Sequence, residues 1–199
     1  MINISKFPKK INKFYEDLKC SNFEKLFIKF LNKNTEIVEL YPLTHDSINN
    51  INIERLKKWR QKNKKFFSSK NNITQKSTKK FLLNYLESKE LRLLFLISYK
   101  KFYIGHLETK NLNLKENSIE LSYILRGEKK YKGKMSEALK CITILLMEKY
   151  NIRKVLIKVE KDNLKAINFY KNNNFIFHKI EYNNIMVFKY NRVLLQKNL

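Results

Sequence analysis

"YKGKMSEALKCITILLMEKY", residues 131–150, opens on a glycine between lysines and continues as an amphipathic helix, with Leu139, Ile142, Leu145, Leu146 and Tyr150 on one face. Gly133 is one of only three glycines in 199 residues. The first turn of a helix carries unpaired N–H groups and the positive end of the helix dipole, which together attract anions. A glycine there removes the Cβ that would hold an anion away from the backbone. Lys130, Lys132 and Lys134 add positive charge around it. On these residues alone two readings stand: a phosphate-holding turn, or a lysine-rich loop with one turn glycine. Neither a P-loop G-x-x-x-x-G-K-[ST] nor a dinucleotide G-x-G-x-x-G is present.

Working outward from this stretch, "SIELSYIL" (118–125) before it and "KVLIKVE" (154–160) after it have strand character. A helix enclosed between two strands demands a crossover and locally parallel pairing. Further upstream, "LRLLFLISYK" and "KFYIGHLETK" predict a hairpin turning near Lys100. "EIVELYPL" (36–43) predicts a first strand, and two helices follow it: one capped by Thr44 or Asp46 and running through Trp59, one opened by Thr74. Downstream, "NLKAINFYKNN" predicts a helix and "FIFHKIEY" with "NIMVFKY" a second hairpin. From residue 36 the order is β-α-α-β-β-β-α-β-α-β-β, a mixed α/β sheet. Residues 9–33 have near-helical apolar spacing at Phe14, Leu18, Phe23, Leu26, Phe27 and Phe30 and predict a helical extension. The division is thus 1–35 for the extension and 36–199 for the main domain. Two roles are open to the extension: homodimerisation, or a cover over the substrate site.

The formal net charge is +24, which taken alone suggests a polyanionic partner. Lysines outnumber arginines about six to one and are spread along the whole chain. Dedicated nucleic-acid readers favour arginine for its bidentate contacts. The charge therefore reads as codon bias in preference to a nucleic-acid surface. Cys20 and Cys141 are too few and too distant for a disulfide framework or a zinc site, so no metal is expected. No apolar run is long enough to cross a bilayer and the N-terminus lacks a signal-peptide core, so the expected location is the cytoplasm.

Two stretches carry a family resemblance. "KKYKGKMSEALK" resembles the Q/R-x-x-G-x-G/A segment of the GNAT acyltransferase superfamily, with Lys130 at the Q/R position, Gly133 at the first glycine and Met135 at the G/A position. "NLKAINFYKNNNF" (163–175) is similar to the family's "N..A...Y...GF" segment, with Asn174 in the glycine place. The resemblance spans roughly residues 36–190. It implies a mixed, mostly antiparallel sheet whose parallel central strands, 118–125 and 154–160, splay to admit acetyl-CoA. It implies that Lys130, Lys132, Gly133, Lys134, Met135 and Ser136 hold the pyrophosphate. Backbone groups of Tyr123, Ile124 and Leu125 would line the pantetheine, Asn163 would bond or lie near it, and Tyr170 would protonate the departing thiolate. The activity implied is acetyl transfer from acetyl-CoA to a primary amine by direct attack.

The attacking amine must lose a proton. Glu120 is the expected base, with His106 on the preceding strand and a water chain to bulk solvent as the alternatives. Strand alternation places Glu120 on one face with Ser122 and Ile124, opposite Ile119, Leu121 and Tyr123. His106 on the preceding strand is expected near the acceptor. "LKKWRQKNKKFFSSKNNITQKSTKKFLLNYL" resembles the "L..WRN" region of bacterial amino-sugar nucleotide N-acetyltransferases and of enzymes acting on ribosomal-protein N-termini. That resemblance assigns Trp59 and Arg60 to the acceptor, with Arg60 suited to a phosphate or carboxylate. An amino-sugar nucleotide is the leading acceptor and a protein α-amine the second. A reading of another class is an inactive module of the same fold that binds nucleic acid through its basic surface; salt-sensitive DNA binding without any response to CoA would distinguish it.

Overall fold

The computed structural model of the chain describes residues 28–31, 37–64, 72–87 and 92–192. Its elements are β1 (Ile28–Leu31), β2 (Ile37–Pro42), α1 (Asn50–Lys62), α2 (Gln75–Leu86), β3 (Leu93–Tyr99), β4 (Phe102–Asn113), β5 (Ser118–Arg126), α3 (Lys134–Ile144), β6 (Lys154–Glu160), α4 (Leu164–Lys171), β7 (Phe175–Glu181) and β8 (Ile185–Tyr190). From β2 onward the order is the expected one. Residues 28–31 correct the expected helix: they form a strand, antiparallel to β2, with Ile28 opposite Leu40 and Leu31 opposite Ile37. A short apolar run satisfies helical and strand spacing alike, and here the open edge of β2 decides. The rest of the expected extension, residues 1–27, lies outside the described residues.

The strand order is β1-β2-β3-β4-β5-β6-β8-β7. Every neighbouring pair is antiparallel except β5 and β6, which the α3 crossover makes parallel. The β3–β4 hairpin turns on Lys100 and Lys101, with φ of 50° and 65°. Two residues of positive φ give the turn whose twist matches the flanking strands. Parallel pairing runs from Ser118 opposite Lys154 to Leu121 opposite Ile157 and stops. Beyond it β5 continues to Arg126 and β6 to Glu160, and their facing edges are the expected splay.

A bulge interrupts β5 at this point. Glu108 lies opposite Ser122 while His106 lies opposite Leu125, so β5 carries one extra residue, and Tyr123 has a φ of 44°. A bulge shifts the inside–outside alternation of the strand. Ile124 therefore joins Ile119 and Leu121 in one core. Tyr123 and Leu125 turn to the other face, where Tyr123 meets Phe81 at a ring separation of 6.1 Å. This reverses the faces that simple alternation gives Tyr123 and Ile124.

Two cores hold the sheet. On one face α3 and α4 bury Leu139, Ile142, Ile167 and Tyr170 against Leu121, Val155, Ile157 and Phe188. On the other, α1 and α2 bury Ile53, Leu56, Trp59, Leu82 and Tyr85 against Leu94, Leu96 and Leu125. Each fully buried aliphatic side chain contributes about 1.5–3 kcal/mol. Asn49, and not Thr44 or Asp46, caps α1, accepting from the Asn52 amide at 3.0 Å; Thr44 is occupied by Ser47 at 3.1 Å. Thr74 caps α2 as expected, in a reciprocal box with Ser77. No helix among the described residues is long and apolar enough to cross a membrane.

Candidate active site

On the α3/α4 face the site begins at Gly133, the N-cap of α3, with φ 80° and ψ −28°. This left-handed geometry is costly for any residue with a Cβ, and nothing lies within 4 Å of where that Cβ would stand. Helices α1, α2 and α4 have side-chain N-caps; α3 has none. The first-turn amides of α3 belong to Lys134, Met135 and Ser136. An uncapped helix N-terminus suits an anion of phosphate size.

Lys132 is exposed, and Lys130 lies over the rings of Tyr131 and Phe102 at 4.8 and 5.5 Å. The Lys134 ammonium is buried, pairs with Glu137 at 3.1 Å and stacks on Tyr99 at 4.6 Å, so its charge is turned into the fold. Met135 turns inward, where a Cβ on Gly105 would fall 2.7 Å from its sulfur. Gly105 therefore makes room for Met135 in the core.

Asn163 caps α4 through its Oδ1, accepting from the Ala166 amide at 3.2 Å, and its Nδ2 makes no hydrogen bond among the described residues. Tyr170 is the penultimate residue of α4, ringed by Phe169, Phe175 and Phe188. Burial pushes its phenol up to about 12, so it holds its proton at neutral pH. Asn174 takes the left-handed position after the helix, φ 65°. Asn173 ties the end of α4 to the start of α3, donating to the Phe169 carbonyl at 2.7 Å and to Ser136 Oγ at 3.2 Å.

On the α1/α2 face a small cavity of about 10 Å³ is lined by Leu56, Arg60, Thr78, Phe81, His106 and Tyr123, among others. Arg60 stacks on Phe81 at 4.5 Å, and burial holds its guanidinium below the usual arginine range. Arg60 Nη1, Thr78 Oγ1 and His106 Nδ1 are buried and have no partner among the described residues. A buried polar atom without a partner costs about 1–3 kcal/mol, so three of them at one void mark a place for a polar guest. Burial brings His106 down to about 4.

Trp59 does not line this cavity. It is 2% exposed, its indole N–H is used by Glu128 at 3.1 Å, and its ring fills the space a side chain on Gly127 would need. It supports the His106 ring from 6.4 Å instead.

Glu120 does not line this cavity either. It pairs with Leu156 in the still-joined part of β5 and β6, and its carboxylate is held by Asn111 at 2.9 Å, Lys110 at 3.3 Å and Lys158 at 3.9 Å. The structure thus places it at an ion-pair centre within the sheet. Sequence reasoning missed the neighbouring fully buried Glu108, which is bound by Ser122 and by Arg92 at 2.7–2.8 Å. Thr78 was not among the expected site residues, although a threonine in helical register with Leu82 and Tyr85 on the buried face of α2 was a readable signal. Among the described residues no group of three His, Cys, Asp or Glu could hold a metal ion.

The acetyltransferase (GNAT) domain model matches residues 46–192. Among solved structures, the chain is similar to Campylobacter jejuni N-acetyltransferase PseH in complex with acetyl coenzyme A, at 21% identity over 78% of this chain and 99% of that one, TM-score 0.58. It is similar to the ribosomal L7/L12 α-N-protein acetyltransferase RimL, at 18% identity over 76% and 92%, TM-score 0.61. It is also similar to an uncharacterized protein from Bacillus halodurans, at 15% identity over 86% and 93%, TM-score 0.69. At these identities the structures attest the fold. No curated protein sequence matches the chain. With three-quarters of its length under the family model, the split sheet and the uncapped glycine turn, the chain belongs to the GNAT acetyltransferases. It is an acetyl-CoA-dependent N-acetyltransferase.

Proposed function

We propose that this enzyme acetylates the primary amine of a small anionic acceptor, with an amino-sugar nucleotide as the leading class. The observation that carries the acceptor half is Arg60, a half-buried guanidinium aimed into an apolar cavity with Nη1 unpartnered among the described residues. A single oxygen of an acceptor phosphate or carboxylate, reaching Arg60 beside the amine, would satisfy such a cation. Tyr123, 39% exposed beside Phe81, offers an aromatic surface for a base or sugar ring.

On the donor side, the α3 turn at Gly133 with Lys130 and Lys132 would hold the diphosphate of acetyl-CoA. The edge of β5 at Tyr123–Leu125, beyond its pairing with β6, and Asn163 Nδ2 would hold the pantetheine, and a backbone N–H there would polarise the thioester carbonyl. Tyr170 would deliver its proton to the leaving sulfur. The desolvation that keeps the phenol protonated also raises the proton affinity of a thiolate released beside it. The same reading places the enzyme in the cytoplasm, where the free thiol of Cys141 stays reduced.

The test is thermal unfolding of the full chain with acetyl-CoA, AMP or a short DNA duplex, followed by mass-spectrometric assay of UDP-glucosamine and of a short peptide with a free N-terminus. Ligand at a hundred times its Kd should stabilise by about 2.7 kcal/mol. Acetyl-CoA is expected to shift the transition and UDP-glucosamine to gain one acetyl group. Acetylation of the peptide alone would replace the acceptor class. A salt-sensitive shift with DNA and none with acetyl-CoA would overturn the whole reading.

A further inference from the structure

The three unpartnered atoms at the α1/α2 cavity are not equivalent. Arg60 Nη1 is a donor only, and Thr78 Oγ1 can donate or accept. His106 bonds the Tyr123 backbone through one ring nitrogen in the sense that favours a proton on the ring, so that nitrogen donates. Nδ1, buried and without a partner among the described residues, is then the bare acceptor nitrogen. Tyr123 is the bulge residue of β5, so the ring is fastened to the strand segment that would bind the thioester. The cavity between them is the size of one water molecule or one amino group.

We infer that His106 is the catalytic base: its Nδ1 takes a proton from the acceptor amine as the new C–N bond forms. The inference rests on the acetyl-transfer reading above. The acceptor's amine nitrogen attacks the thioester carbonyl carbon, and the adduct carries a positively charged nitrogen. One N–H proton passes to His106 Nδ1, the C–S bond breaks, and the sulfur takes the Tyr170 proton. The proton on His106 then leaves to solvent and Tyr170 regains one, so the net products are amide and thiol. The nitrogen of such an adduct is far more acidic than a free ammonium, which brings it within reach of a weak base.

The surroundings keep the ring neutral between turnovers. From α1 it faces Arg60 and Trp59, the latter anchored to Glu128. From α2 it faces Thr78, and from β5 Tyr123. The next same-face residue on β4, Glu108, is taken up by Arg92 and Ser122. Arg60 acts on the ring against protonation, and neither Glu108 nor Glu120 lines the cavity.

Two experiments test the assignment. In the full ligand-free chain labelled with ¹⁵N-histidine, His106 is expected to show an unprotonated Nδ1 and a protonated Nε2 at pH 7; a proton on Nδ1 overturns the proposal. His106→Gln keeps a donor toward Tyr123 but has no ring base. With UDP-glucosamine, or with the peptide if that is the amine the wild type acetylates, its kcat should fall about 10²–10⁴-fold. Its KM for acetyl-CoA and its stabilisation by acetyl-CoA should stay unchanged. A variant that binds acetyl-CoA normally and keeps kcat within threefold overturns the proposal. If that variant does not fold, the wild-type nitrogen spectrum decides. Failure of the wild-type chain to bind acetyl-CoA would instead sink the functional reading on which the inference stands.

Discussion

Asn173 Nδ2 reaches Ser136 Oγ at 3.2 Å, joining the helix that carries Tyr170 to the turn that begins at Gly133. The same amide nitrogen donates to the Phe169 carbonyl at 2.7 Å, and the side chain is 2% exposed. The bond sets the separation between the proposed diphosphate turn and the proposed acid. Asn173→Ala removes both bonds and should destabilise the fold by about 1–3 kcal/mol. It should also raise the KM for acetyl-CoA several-fold. Urea unfolding and steady-state kinetics check this; an unchanged KM would show the two helices to be positioned by apolar packing alone.

Gly133 combines a conformational and an electrostatic demand. Gly133→Ala should cost about 1–2 kcal/mol through its left-handed backbone and weaken acetyl-CoA binding modestly. Gly133→Asp adds a negative charge at the anion turn and should abolish the acetyl-CoA-induced thermal shift. Comparable binding by glycine and aspartate forms would remove this turn from the donor site.

Tyr170 makes no hydrogen bond through its hydroxyl among the described residues, so its oxygen contributes little to the fold. Tyr170→Phe is expected to keep the wild-type melting temperature while kcat falls about 10²–10⁴-fold. Full activity in this variant would assign protonation of the sulfur to solvent.

The ion-pair centre at Glu120 predicts the opposite pattern. Glu120→Gln leaves Lys110 and Lys158 without their shared carboxylate and should lower stability by about 1–3 kcal/mol. Its kcat should remain within a few-fold of the wild type. A drop of a hundredfold at unchanged stability would assign Glu120 as the base.

His106 gives the fold a defined acid sensitivity. Burial lowers its pKa from 6.5 to about 4 in the folded chain. Above pH 6.5 both states are neutral and the contribution is complete. As pH falls from 6.5 toward 4, the unfolded chain binds a proton that the folded chain does not, and stability drops by roughly 3 kcal/mol in all. Urea unfolding at pH 7 and pH 4.5 should show this loss, and His106→Gln should show a shallower one.

The element order, the splay and the glycine turn were legible because local signals agree there: a helix period between two strand periods, and a glycine where its freedom is used. The reversal of Tyr123 and Ile124 was not legible, since a bulge at a non-glycine residue leaves no mark in composition. The ion-pair surroundings of Glu120 were not legible, because its partners Lys110, Asn111 and Lys158 come from two other strand regions and only the folded sheet assembles them. The packing of Trp59 was hidden for a similar reason: its partner Gly127 lies on the loop after β5 and is far away in sequence. The pairing of Lys134 was legible, since its helix offers Glu137 one turn on, an i,i+3 pairing that the sequence did show.

The four residue pairs between β5 and β6 act as the spine of a half-opened book. One leaf, β1–β5, carries His106; the other, β6–β8, belongs with the helix that bears Tyr170. The proposed proton acceptor and proton donor thus ride on separate leaves, so the proposed mechanism ties their spacing to how far the pages stand apart. On that reading a ligand wedged into the gutter is a gauge of that spacing as well as a reactant.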